Sequence, residues 1–194
     1  MLDKSLPYYH VIMRRPCGLA APVPQLPAGY AVSPFERGSD IAWAAIEAAV
    51  GEFESHALAK RYFRETYLLH HAEVERRVLF ARGPGGTEVG TVTAWWDYTG
   101  ERRDAALHWL GVIPAQQGQG LGTALLHACI QTLQQLEGDR DIYLHTQTWS
   151  HTAIGIYQRA GFEMVRERFA GSPNDFDQAR VVLRTVRPDW FLDG

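Results

Sequence analysis

The chain starts with short β-prone runs, and soon afterwards its hydrophobic and polar positions follow a helical period. Residues 8–14 and 30–33 are β-prone and stand just before prolines, so both are predicted strands. From residue 40 the apolar positions recur every three or four residues, which predicts helices over about 40–49 and 56–69. Residues 20–29, between the two strands, contain three prolines, which exclude a helix and predict an extended connector. These are Pro22, Pro24 and Pro27.

The second half begins with strands and then alternates helices with strands. Residues 78–81 and 89–95 flank a Gly-Pro-Gly-Gly turn and predict a hairpin, and 105–113 is the next strand. Residues 120–136 form a strongly amphipathic helical pattern. Its predicted buried face is Leu121, Ala124, Leu125, Ala128, Cys129, Thr132 and Leu136. The remaining predictions are a strand over 141–148, a helix over 152–160, and closing strands over 162–168 and 178–186. This order predicts an α/β protein with one sheet and helices on its faces.

Composition and charge narrow the class of protein. The chain has 194 residues, 46% of them hydrophobic, which suits a single domain with its own core. Nineteen basic against 22 acidic residues give no large positive field, so nucleic acid is not an expected partner. No apolar run approaches a bilayer span, residues 1–7 lack a secretory pattern, and two cysteines are too few for a disulfide framework. We therefore expect a cytoplasmic protein with reduced thiols.

Candidate chemistry is concentrated between Pro114 and the amphipathic helix. Glycines stand there at 118, 120 and 122. Glycine lets the backbone approach a ligand and adopt positive φ, and the amides at a helix N-terminus favour a bound phosphate. The segment lacks the Gly-Lys-Ser/Thr ending of a Walker loop and the glycine spacing of a dinucleotide-binding fingerprint. A strand-to-helix turn with capping glycines is the structural alternative.

Two sequence blocks in the second half of the chain match one known pattern together. The run Gln-Gly-Gln-Gly-Leu-Gly at 117–122 fits Gln/Arg-x-x-Gly-x-Gly/Ala, and the run at 152–162 is similar to Ala-Ile-x-Leu-Tyr-x-x-x-Gly-Phe. Both belong, in this order, to the GNAT superfamily of acyl-CoA-dependent N-acetyltransferases, which the chain resembles over about residues 107–162. Ser150 departs from the pattern, because many members have asparagine there.

The resemblance implies a fold and a domain organisation. It implies a single GNAT-like domain with a central mixed, mostly antiparallel twisted sheet of about six to seven strands, flanked by about four helices. That domain is predicted over residues 30–194. Residues 1–29 are predicted to be an N-terminal strand and Pro-rich connector packed on the core.

The same resemblance implies acetyl-CoA as the acyl donor. The loop amides from Gln117 to Thr123 would hold the CoA diphosphate, and the strand end at 110–112 would pair with the pantetheine arm. A backbone amide near Leu110 would stabilise the oxyanion, and Tyr157 would protonate the leaving thiolate. A core aromatic is the alternative for Tyr157. The implied cofactor-binding residues are Leu110, Gly111, Val112, Gln117, Gly118, Gln119, Gly120, Leu121, Gly122, Thr123, Ser150, Ala153 and Tyr157.

The proton acceptor for the attacking amine is less clearly marked. On a regular strand over 105–113, alternate residues from 104 to 112 share one face, and a position often used in the family falls on Ala106, which cannot act. His108 lies two residues further along and titrates near neutral pH, so it is the predicted base, with a packed histidine as the alternative. Asp104 lies two residues back. A strand bulge would swap the faces and remove this argument.

Other side chains are candidates to contact the acceptor. His145 and Gln147 alternate on the following strand, where a solvated or core polar pair is an equal alternative. Four tryptophans are dense enough to suggest an aromatic pocket, although tryptophan more often fills a core. These are Trp95, Trp96, Trp109 and Trp149. No histidines stand at metal-ligand spacing, so no metal is expected.

The resemblance and these residues together predict an acetyltransferase, which transfers an acetyl group and not an amino-acyl group. The acetyl group would pass directly from acetyl-CoA to a primary amine of a small molecule or peptide, with both substrates bound in a ternary complex. A non-catalytic acyl-CoA-binding or protein-interaction module of the same fold is the alternative from another class. No membrane is an expected partner, and a homodimer is left open. The sequence does not identify the amine, the acyl chain length or the role of residues 1–29.

Overall fold

A computed structural model describes residues 2–191 of the chain. The strands are β1 (His10–Arg15), β2 (Ala31–Pro34), β3 (Val78–Arg82), β4 (Glu88–Thr99), β5 (Arg102–Val112), β6 (Ile142–Gln147) and β7 (Glu163–Met164). The α-helices are α1 (Ser39–Val50), α2 (His56–Thr66), α3 (His71–Arg77), α4 (Leu121–Glu137), α5 (His151–Arg159) and α6 (Phe176–Val186). Residue 1 and residues 192–194, the outer ends of the two predicted domain ranges, lie outside the described residues.

The seven strands form one sheet in the order β2-β3-β4-β5-β6-β1-β7. β5 pairs parallel with β6, whereas β6 and β7 both pair antiparallel with β1. The β2–β3 and β3–β4 pairs are also antiparallel. The predicted mixed, mostly antiparallel sheet is therefore confirmed.

The contacts divide the chain into two compact units. One unit comprises Met1–Leu19, Trp96–Ala106 and Asp139–Gly194, as far as these ranges are described, and contains β1, β6, β7, α5 and α6. The other comprises Ala20–Trp95 and Leu107–Gly138 and contains β2, β3 and α1 to α4. β4 and β5 each have residues in both units.

The helices of the second unit show why its sequence folds as predicted. Ser55 caps α2, because its side-chain oxygen accepts a hydrogen bond from the Leu58 amide at 3.3 Å. α4 buries one apolar face, as its helical spacing requires. The buried members of the predicted face are Leu121, Ala124, Leu125, Ala128 and Cys129.

Three secondary-structure predictions need correction. The predicted strand over 178–186 is α6, which buries Ala179, Val182 and Leu183 at helical spacing. Its valines favour a strand locally, but the three-and-four spacing of the buried residues decides the outcome. The strand predicted over 162–168 shortens to the two residues of β7. The short helix α3 was missed, and with α6 it raises the helix count of residues 2–191 from about four to six.

Candidate active site

The glycine loop joins β5 to α4 through a short 3-10 turn at Pro114–Gln116. Gly118 has a φ of 78° and Gly120 a φ of 84°, conformations that side-chain-bearing residues rarely adopt. A Cβ at either glycine would meet no atom within 4 Å. The loop therefore needs glycine at these positions for backbone conformation, and both positions are open.

The N-terminus of α4 presents amides that the helix does not use. The first hydrogen bond of this helix runs from the Ala124 amide to the Gly120 carbonyl oxygen, at 3.0 Å. No side chain caps the helix. The amides of residues 120–123 consequently have no acceptor within the helix and lie at the positive end of its dipole. This donor set fits a diphosphate.

Side-chain hydrogen bonds hold the loop in place. Gln117 donates its side-chain amide to the Val112 carbonyl oxygen at 2.8 Å and so ties the loop to the end of β5. The Tyr30 hydroxyl donates to Gln116 Oε1, which also accepts from Gln119 Nε2 at 3.0 Å. The sequence motif did not reveal the role of Tyr30, because this residue is 86 positions away from its partner.

The regular alternation of β5 breaks at Trp109, whose φ of 51° is rare for a tryptophan. His108 and Trp109 are consecutive residues of β5, yet both side chains contact the same part of the chain, at α2 or at the residue that ends it. His108 Nδ1 lies 2.8 Å from the Tyr67 hydroxyl oxygen, and the rings of Trp109 and Tyr62 have centroids 5.2 Å apart. Successive side chains of a regular strand point to opposite faces.

Beyond the break the two faces of β5 are exchanged. A Cβ on Gly111 would lie 2.8 Å from Glu47 Oε1, so this position faces α1. A Cβ on Gly90 would meet both Val112 and a leucine of α4, so Val112 faces α4. The prediction that residues 104–112 share one face is therefore wrong, because Trp109 interrupts the alternation.

Glu47 is a residue of this region that sequence reasoning missed. Its side chain is 1% exposed on the buried face of α1, and its Oε1 has no hydrogen-bond partner in the described part of the chain. Burial, and secondarily the charge of Glu52, raise the pKa of Glu47 well above its ordinary value. A sequence signal did exist, because Glu47 follows Trp43 by four residues and so falls on the buried stripe of the helix.

In the other unit, α5 carries the second sequence block. Tyr157 is 5% exposed, and its ring centroid lies 6.0 Å from that of Phe162. The helix ends with two backbone hydrogen bonds. The Phe162 amide donates to the Tyr157 carbonyl oxygen, and the Gly161 amide donates to the Gln158 carbonyl oxygen. Ser150 is the N-cap residue, although its side chain makes no capping hydrogen bond, and Ala153 is half-buried.

With this geometry in hand, comparison with known proteins assigns the family. The sequence model of the "Acetyltransferase (GNAT) family" matches residues 60–162. The chain belongs to the GNAT acetyltransferase family. The match begins within α2 and ends at Phe162, so it includes β5, the glycine loop, α4 and α5.

Individual GNAT relatives agree with this assignment. A mycothiol acetyltransferase of Kineococcus radiotolerans is 34% identical over 145 residues, 72% of this chain and 45% of the relative. Another, of Salinispora arenicola, is 30% identical over 155 residues, 77% of this chain and 50% of the relative. The crystal structure of a GCN5-related N-acetyltransferase from Sphaerobacter thermophilus has a TM-score of 0.65 and 24% identity, covering 82% of this chain and 49% of that one. The chain spans about half the length of the curated relatives it matches.

The GNAT fold places the remaining predicted residues as follows. Exposed His145 has its Nε2 atom 2.9 Å from His10 Nδ1 on the neighbouring strand. Gln147 accepts from the Thr146 hydroxyl at 3.2 Å. Asp104 is 5% exposed and forms an ion pair of 2.6 Å with Arg102.

The tryptophans of this GNAT protein have different surroundings. The ring of Trp95 packs edge-on against that of Tyr67, with ring centroids 4.8 Å apart. The ring of Trp109 packs edge-on against that of Trp43, with centroids 5.7 Å apart. In the other unit, Trp96 lies beneath the guanidinium group of Arg103, and Trp149 packs edge-on against Tyr8.

Residues 2–191 contain neither a metal-binding cluster nor a helix that could cross a membrane. No three His, Cys, Asp or Glu side chains come together there as a metal-binding group. None of the helices in that range combines the length and apolar character that a membrane crossing requires.

Proposed function

We propose that this chain transfers an acetyl group from acetyl-CoA to a primary amine. The observation that carries the proposal is the uncapped start of α4, where residues 120–123 present amides beside an open glycine loop. This donor set suits the diphosphate of CoA, and family membership supports acetyl transfer as the chemistry. Acetyl-CoA would supply the activated acetyl group as a thioester.

The chain's own residues have separate proposed tasks. Residues 117–123 bind the diphosphate, and the end of β5 at 110–112 pairs with the pantetheine arm. The Leu110 amide donates to the thioester oxygen, a task that needs only a fixed N–H group. Ser150 and Ala153 contact the same arm, and Tyr157 donates a proton to the departing sulfur.

His108 stays a predicted proton acceptor. Its Nδ1 atom is already engaged by the Tyr67 hydroxyl, and Tyr67 is fully buried. That contact fixes the ring and gives His108 a structural role as well. The His108→Ala variant tests the prediction: loss of the rate limb near neutral pH supports His108 as the base, and a retained limb removes it.

Binding of acetyl-CoA is the first test, measured by isothermal titration. Gly120→Glu places a strained backbone and a negative charge at the start of α4, and we expect at least ~100-fold weaker binding. Gly138→Glu is the matched control, because Gly138 also has positive φ and open surroundings but lies at the other end of α4. Equal effects of the two substitutions, or no binding by the wild-type protein, would contradict the proposal.

Turnover is the second test, with an amine panel read by release of free thiol. The names of the relatives place mycothiol-related amines in this panel. Tyr157→Phe should slow kcat by about 10- to 100-fold and leave the Kd for acetyl-CoA unchanged, because it removes a proton donor and keeps the ring. An unchanged rate would exclude Tyr157 from the mechanism. Binding without turnover of any amine would favour the non-catalytic alternative.

A further inference from the structure

The carboxyl group of Glu47 is buried without the partners that a buried acid normally has. The side chain is 1% exposed, and Oε1 has no hydrogen-bond partner within residues 2–191. Burying a polar atom without a partner costs free energy, and burying a charge costs more. The charge of Glu52, which also acts on it, is negative. Glu47 therefore destabilises the fold in its ionised form.

This carboxyl group lies directly against the strand that carries the proposed thioester contact. A Cβ on Gly111 would be only 2.8 Å from Glu47 Oε1, so a side chain at this position would crowd the acid in its present place. Gly111 follows Leu110, whose amide is the proposed donor to the thioester oxygen. An unpaired oxygen is thus held next to the segment where the amine would attack.

An aromatic cluster of a kind that suits an organic cation is built around a residue one turn away from this acid. Trp43, one turn before Glu47 on α1, packs with the rings of Phe53, Tyr62 and Trp109 at centroid distances of 5.9, 6.2 and 5.7 Å. The last three rings are half-buried. Aromatic faces attract ammonium groups, and this attraction strengthens where water is excluded.

We propose that Glu47 is the proton acceptor of the acetyl transfer, an inference that rests on the proposed function. The acceptor's ammonium group gives one proton to the Glu47 carboxylate, and the neutral nitrogen forms a bond to the thioester carbon as the carbon–sulfur bond breaks. Tyr157 protonates the thiolate, which leaves as free thiol, and the second proton of the nitrogen restores the Tyr157 hydroxyl. Glu47 then releases its proton to water.

Proton affinity supports this assignment. Burial and Glu52 both raise the pKa of Glu47, and a carboxylate with a raised pKa is a stronger base. Titratable side chains also reach α1 from the elements packed against it. These are His56, Tyr62, Tyr67 and, through its hydrogen bond to Tyr67, His108.

The test compares Glu47→Gln with Glu52→Gln in the full chain, using acetyl-CoA and the best amine of the panel. Glu47→Gln keeps the shape and removes the base, so kcat/KM should fall at least ~100-fold while the Kd for acetyl-CoA stays within about twofold. Glu52 is exposed, and its substitution removes a charge that raises the pKa of Glu47. Glu52→Gln should retain activity and move the rising limb of the pH–rate profile to lower pH.

Each result separates this inference from the proposed function. Wild-type turnover with an equally active Glu47→Gln variant would overturn the role of Glu47 and leave acetyl transfer intact. A limb that survives Glu47→Gln and disappears in His108→Ala would assign the base to His108 instead. Wild-type protein without turnover of any amine would end both proposals. An unshifted limb in Glu52→Gln would show that the limb does not report Glu47.

Discussion

Two buried charges in the same unit, Arg77 and Glu47, have opposite surroundings. The Arg77 side chain is 3% exposed, and donates to Glu73 at 2.5 Å, to Glu137 at 2.6 Å and to the Ala94 carbonyl oxygen at 3.2 Å. Glu47 is equally buried, but its Oε1 has no partner in the described part of the chain. Where a buried charge serves the framework, the fold surrounds it with partners. An acid kept unpaired needs another reason to be there.

The largest effect is expected from breaking the Arg77 network. Arg77→Met removes the buried guanidinium group that pairs with Glu137, whose side chain is only 4% exposed, so the free energy of unfolding should fall by about 3–5 kcal/mol. Urea denaturation measures this. Arg76→Met is the control, because Arg76 is 52% exposed on the same helix and should change stability by less than about 1 kcal/mol. Equal losses would show that burial does not distinguish the two arginines.

Removing both charges should restore part of that loss. In Arg77→Met with Glu137→Leu, no carboxylate is left buried by the first substitution, and we expect recovery of about 2 kcal/mol. A double-mutant cycle from denaturation curves measures the coupling. A double variant as unstable as the sum of its parts would mean that the two side chains act independently.

Substituting Glu47 should change the free energy of unfolding in the opposite direction. Glu47→Leu removes a buried polar atom without a partner and keeps a similar volume, so stability should rise by about 1–2 kcal/mol while acetyl transfer is lost. Thermal and urea unfolding measure the gain. A loss of stability resembling that of Arg77→Met would place Glu47 in the framework.

The smallest expected effect is a pH dependence of protein stability that arises from Glu47. Between the ordinary glutamate pKa and the raised pKa of Glu47, the native protein holds a proton that the unfolded chain has released. This contribution to stability is present at low pH and is lost as pH rises through that window. Wild-type protein should therefore lose stability relative to Glu47→Gln as pH rises above the ordinary glutamate range. Parallel curves over this range would show that Glu47 has no raised pKa.

Local patterns predicted the parts of the molecule that depend on local chemistry. The glycine spacing located the loop, and the helical spacing located α4. The break at Trp109 could not be predicted in this way, because nothing in the order of residues there distinguishes a bulged strand from a regular one. The partners of Arg77 likewise depend on how α3 packs rather than on sequence spacing.

At Gly118 and Gly120 the loop restricts the chirality of a substituted residue rather than the size of its side chain. Both residues have left-handed backbone angles, and neither would bring a Cβ within 4 Å of another atom. An L-alanine at either position meets the backbone strain of positive φ, whereas a D-alanine has that conformation as its preferred one. A semisynthetic chain with D-alanine at residue 120 should therefore keep the loop's shape. At this position the fold accepts a mirror-image methyl group more readily than a natural one.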